Sequence, residues 1–204
     1  VKVPVFGSHL TIELAKLLVK GNNATKKFND FHVINAETEI DFGDSVVSFF
    51  QTTHSIPESL GIVVKTDEGN IVYTGDFKFD QAADKFYRTD FGRLAEIGNE
   101  GVLALLSDSA NADSNVQVAS MHEAGEEILN TIADCDGRVI VAAVASNIVR
   151  IQQIFDAAEA TGRRVVLTGH DVENIVRTAI QLKKLRLVSE RLLVKPKDMN
   201  KYED

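Results

Sequence analysis

Apolar positions fall in two different rhythms along this chain. Residues 9–20 carry Leu10, Leu14, Leu17 and Leu18 at helical spacing on one face. Ser8 stands where a side chain can accept a backbone N–H and cap that helix. Gly21 stands where a left-handed residue can end it. Residues 31–35 and 45–51 are rich in β-branched and aromatic side chains and predict strands, with a turn at 41–44 before the second. Residues 61–65 and 70–74 predict a hairpin closed at Asp67, Glu68 and Gly69. Residues 102–106 are continuously apolar, which predicts a strand buried on both faces.

From about residue 116 the rhythm lengthens. It predicts a helix over 120–133, a strand over 138–144, a helix over 147–161, a strand over 164–168 and a helix over 171–183. Strand and helix alternating with short links imply a parallel sheet with right-handed crossovers. The fold class expected is therefore α/β, with a strand-rich portion over 1–115 and a Rossmann-like portion over 116–204. The start on Val1, with no Met, and a polar tail from Lys195 with no closing element predicted, read as a piece of a longer protein.

Composition changes this picture only a little. Apolar content of 44% and charged content of 25% are ordinary for a globular chain. No apolar run approaches the ~20 residues that span a bilayer, and no basic-then-apolar signal opens the chain. The single Cys135 excludes an internal disulfide and fits a reducing cytoplasm. It lacks a nearby cation to lower its pKa, so it is not read as a nucleophile. Net charge is −8, distributed unevenly: residues 1–137 hold 10 basic and 22 acidic side chains, residues 138–204 hold 12 and 8. The first balance of −12 argues against indiscriminate nucleic-acid binding, and the second of +4 could face phosphates. Both also fit plain solvated surface.

Candidate chemistry sits where apolar runs stop. His54 ends one run, Asp76 a second and Asp108 a third. Imidazole and carboxylate are ligands that zinc and manganese accept. A lone His at a strand end is more often a hydrogen-bonded structural residue, and an Asp after Gly75 is more often a turn former. The surrounding words, TTHSIPES at 52–59, YTGDFKFD at 73–80, LLSDSANA at 105–112 and ASNIVRIQQI at 145–154, are more specific. In that order they resemble bacterial ribonuclease J, of the β-CASP branch of the metallo-β-lactamase superfamily.

The resemblance implies an incomplete αββα lactamase-like portion over 1–115, then a partial β-CASP portion over 116–204. It implies His54 and Asp76 as ligands of a two-metal site, with Asp76 bridging, and Asp76 and Asp108 as the catalytic carboxylates. Asp80 is left to support the site from behind or to sit in a solvated turn. Ser146 and Asn147 face the RNA cleft by resemblance; capping by Ser146 is the plain alternative. His170 stands where the family carries Gly-Arg-Ser and is read as a capping or surface residue. His9, His32 and His122 have no motif around them. The implied cofactors are two divalent ions, zinc or manganese. The implied partners are RNA and a second copy or a ribonuclease J paralogue, with no membrane.

Two departures matter. The superfamily's His-x-His-x-Asp-His motif is absent, and so are the later β-CASP histidines. Alone, the chain is therefore expected to bind divalent metal weakly or not at all and to leave RNA uncut. The intact parent is expected to be a metal-dependent ribonuclease with exonuclease and endonuclease activity. The competing classes are a non-catalytic RNA- or protein-binding scaffold, and another metallo-β-lactamase superfamily hydrolase.

Overall fold

The computed structural model describes residues 3–84, 87–110, 112–115, 119–169 and 171–202. His170, Asn111 and the transition at 116–118 fall outside these. The chain divides into two compact units, Val1–Val118 and Ala119–Asp204.

The first unit opens with β1 (Val5–Gly7), α1 (His9–Gly21) and β2 (Phe31–Val33), the two strands pairing in parallel. Helix α1 forms where expected, but its details differ. Ser8 occupies the N-cap position, yet its hydroxyl donates to Thr11 Oγ1 at 3.0 Å instead of accepting a backbone N–H. The helix ends through Asn22 in an extended conformation, so Gly21 is not used for a left-handed turn. Leu10, Ile12 and Leu14 are buried while Leu18 is 70% exposed, because the helix is covered at its first turns and not at its last.

Five strands then form one sheet in the order β3 (Glu39–Asp41), β4 (Val46–Thr52), β5 (Ser59–Thr66), β6 (Gly69–Tyr73) and β7 (Val102–Leu106). Neighbours are antiparallel except β6 and β7, which are parallel. The β5–β6 hairpin turns where Gly69 takes a φ of 136°, a conformation that disfavours a side chain. Helix α2 (Phe91–Glu100) starts at Asp90, whose carboxylate accepts the Arg93 N–H at 2.9 Å. Its Ile97 and Leu94 pack on Phe50, Val63 and Val72 of the central strands. Phe50 lies opposite Gly61, and its ring fills the space a side chain there would need.

The expectation for β7 is overturned. Leu103 and Leu105 are 58% and 62% exposed, and every residue of the strand is exposed. Continuous apolarity is shared by strands covered on both faces and strands at an open edge. β7 is at the edge, and the buried cluster under α2 draws its sheet residues from β4, β5 and β6.

The second unit contains α3 (Met121–Ala133), α4 (Ile148–Ala160), β8 (Val165–Val166), α5 (Val172–Gln181) and β9 (Leu193–Val194). Ser120 and Glu123 exchange hydrogen bonds as a capping box at the start of α3. Gly125 lets α3 approach Gln153 of α4, and Phe155, Val176 and Leu185 are buried. The predicted strand over 138–144 does not form; Ile140 is 92% exposed. A strand exists only by lateral hydrogen bonding, and here β8 pairs with β9 instead. The parallel sheet is thus two-stranded among the described residues. The polar tail is also more ordered than expected: Glu190–Leu192 and Pro196–Lys201 form 3-10 turns. The whole is α/β, with parallel and mixed sheets.

Candidate functional site

Strand direction decides which chain ends meet. β4 and β6 both run antiparallel to β5, so they point the same way, and β7 is parallel to β6. The segments carrying His54, Asp76 and Asp108 therefore leave the sheet at one edge.

Thr53 anchors the first of these segments. Its N–H donates to Thr89 Oγ1 at 3.0 Å, and the Thr89 N–H donates to Thr53 Oγ1 at 2.9 Å, with both residues buried. Its carbonyl accepts the Lys78 N–H at 2.9 Å, clasping the 74–80 loop against the end of β4. Gly75 takes a φ of 61° and comes close to the Leu60 carbonyl, which turns the loop sharply before Asp76.

The result is that His54 Nε2 lies 3.7 Å from Asp76 Oδ2. This is too long for a strong direct hydrogen bond. Two tetrahedral zinc ligands at ordinary bond lengths lie ~3.3 Å apart, a similar span. Ser55 Oγ lies 3.4 Å from His54 Nδ1, so Nε2 is the nitrogen that faces the carboxylate. Asp76 is 72% exposed and His54 34%.

Asp108 does something different. Its Oδ2 accepts the Phe77 N–H at 3.4 Å and its Oδ1 accepts the Ala110 N–H at 2.9 Å, while its own N–H donates to Thr74 Oγ1 at 3.0 Å. It ties the Asp76 loop to the end of β7. Asp80 is buried and pairs with Lys78 Nζ at 3.0 Å beneath the same loop. A cavity of about 420 Å³, lined by Ser8, His9, Asn35, Glu37, Glu58 and Leu60 among others, opens beside the His54 segment without including His54, Asp76 or Asp108.

In the second unit, Asn147 and not Ser146 caps α4: its Oδ1 accepts the Arg150 N–H at 3.0 Å. Ser146 is exposed and offers its carbonyl to the Ile148 N–H. The Thr53–Thr89 clasp was missed by sequence reasoning, since two threonines 36 residues apart leave no local signal.

The family model of the ribonuclease J β-CASP domain matches residues 136–204. Over all 204 residues the chain is 72% identical to Ribonuclease J 2 of Streptococcus pyogenes serotype M3, covering 37% of that protein. It is 40% identical over 200 residues to Ribonuclease J2 of Bacillus subtilis strain 168, covering 98% of this chain and 36% of that protein. The chain thus spans about a third of the length of the curated relatives it matches. A solved structure from Enterococcus faecalis V583, described as a protein of unknown function, shares the fold at a TM-score of 0.71 and 15% identity, over 98% of this chain and 51% of that one.

The matched domain makes residues 136–204 part of a β-CASP domain. The chain belongs to the ribonuclease J family. That family is metal-dependent. His54 and Asp76 have the donor chemistry and spacing of two ligands. Among the described residues, no group of three or more His, Cys, Asp or Glu side chains gathers that could hold an ion. No helix of the described residues is long and apolar enough to cross a membrane.

Proposed function

We propose that these residues are part of a metal-dependent ribonuclease, with residues 1–115 in a metallo-β-lactamase-like portion and 116–204 in a partial β-CASP domain. The observation that carries the reading is the approach of His54 to Asp76 at one sheet edge, 3.7 Å apart. His54 and Asp76 would hold divalent metal, zinc or manganese, and ligands from outside these residues would complete the set. When bound, the metal supplies charge stabilisation for phosphodiester hydrolysis. Asp108 acts through the backbone of the Asp76 loop, which it holds in place. Ser146 and Asn147, at the positive end of α4, and the basic balance of residues 138–204 would face RNA phosphates. The setting proposed is cytoplasmic, with a second copy or a paralogue as partner.

In the full-length parent, Asp76→Asn should abolish RNA hydrolysis with unchanged circular dichroism, since it removes charge that holds the metal. Near-wild-type turnover at ordinary metal concentration would overturn the assignment. The 204-residue chain by itself should show weak or no calorimetric binding of zinc and manganese and no cleavage of 5′-monophosphorylated RNA. Tight binding of two ions per chain would mean that other residues make the site. A second reading, a non-catalytic RNA- or protein-binding module, draws support from the missing third donor among the described residues. It requires the full-length parent to leave RNA uncut with metal present.

A further inference from the structure

The loop after Asp76 is turned inside out relative to ordinary burial. In extended backbone, successive side chains alternate sides. Here Asp80 takes the inner side: it is 3% exposed and paired with Lys78, itself 31% exposed. The aromatic members take the outer side: Phe79 is 63% exposed and Phe77 half-buried. Charged residues are normally the exposed ones. Phe91, at the first turn of α2 and 44% exposed, joins the two. The Phe77 and Phe79 ring centroids are 5.2 Å apart with planes at 58°, and those of Phe79 and Phe91 are 5.3 Å apart at 45°. These are the separations of mutually supporting aromatic pairs. Phe79 is therefore held by a ring on each side and still open to solvent. The loop carrying it is fastened through Lys78 N–H to Thr53 and through Phe77 N–H to Asp108.

We propose that Phe77, Phe79 and Phe91 form a platform on which an unpaired nucleobase of RNA stacks, beside Asp76. The proposal rests on the ribonuclease reading above and adds to it how the RNA is held. A phenylalanine ring offers no hydrogen bond, so the platform selects a flat π-face and tolerates any base. It attracts no phosphate. Phe77 follows Asp76 directly in the chain, so a base on these rings sits next to the candidate ligand pair. The immediate chain neighbours of the three rings are Asp76, Lys78, Asp80, Asp90 and Gly92, none with a bulky apolar side chain, which favours one inserted ring over a broad protein contact.

The test uses the 204-residue chain and a fluorescein-labelled single-stranded oligouridylate, with an abasic oligomer of the same length as control. Anisotropy is followed as protein is added up to its solubility limit. Phe79→Ala should weaken oligouridylate binding about 5- to 150-fold, the range of one lost base stack. It should leave abasic binding unchanged, and Phe79→Tyr should restore affinity. Circular dichroism should be unaltered, because Phe79 is largely solvent-exposed. Equal affinity of the wild-type chain for both oligomers, unaltered by Phe79→Ala, overturns the platform and leaves the ribonuclease reading standing. Binding of neither oligomer overturns the platform and argues against RNA contact by this chain. A self-associated chain that Phe79→Ala turns monomeric, with RNA affinity unchanged, also overturns it and assigns the rings to a protein interface.

Discussion

Gly61→Ala should destabilise the first unit, although the backbone there tolerates any residue. Gly61 is not among the positive-φ glycines, and in such a setting Gly→Ala ordinarily stabilises by about 0.4–1 kcal/mol by restricting the unfolded chain. The structure reverses that sign. A Cβ at Gly61 would overlap three atoms of the Phe50 ring. Phe50 is 1% exposed and wedged among Val63, Val72 and Ile97, so the ring has no open direction in which to move. Overpacking of this kind costs about 1–3 kcal/mol. Three overlapping atoms place the cost toward the upper end, and subtracting the unfolded-state gain leaves a net loss of about 2 kcal/mol. For a chain of this length that lowers the melting temperature by roughly 4–8 °C. The assay is urea and thermal unfolding followed by far-ultraviolet circular dichroism. Phe50→Leu clears the space above position 61, so the double variant Phe50→Leu with Gly61→Ala should show a favourable coupling of at least about 1 kcal/mol. A Gly61→Ala midpoint equal to or above that of the parent chain, or strict additivity in the double variant, would refute the packing argument.

Two further predictions concern the frame of the site. Thr89→Val removes the hydroxyl that accepts the Thr53 N–H in a buried setting; it should cost about 1–3 kcal/mol in unfolding free energy, and unchanged stability would mean that the clasp does not hold the end of β4. Tyr87 has its pKa pushed up from 10.0 to about 12, first by burial and then by the Asp84 carboxylate. The folded chain keeps this proton where the unfolded chain has lost it, so the stability it confers is full below pH ~10 and is lost as pH rises from about 10 to 12. After discounting for partial exposure this amounts to about 1–2 kcal/mol; Tyr87→Phe should flatten that fall in urea midpoints, and an identical alkaline profile would rule the effect out.

The elements legible in the sequence were those whose signal is local. Helices α1, α3 and α4 and the β5–β6 hairpin follow from side chains repeating at fixed spacing and from Gly69 at the turn, because i to i+4 bonds and tight turns are satisfied within a few residues. His54, Asp76 and Asp108 stood out because each ends an apolar run and because the words around them resemble a family. What only tertiary structure decided was everything that depends on a distant partner. Residues 102–106 and 138–144 read alike as apolar strands, yet the first became an exposed edge and the second no strand at all, since strand pairing and cover are supplied by other parts of the chain. Ser8 had the right type for a cap and bonded Thr11 instead. The 3.7 Å between His54 and Asp76 required β4 and β6 to run the same way on either side of β5, and the ring contact of Phe79 with Phe91 required α2 to begin beside the Asp76 loop. Sequence periodicity specifies which face of an element is apolar. Only the packed fold specifies what, if anything, that face meets.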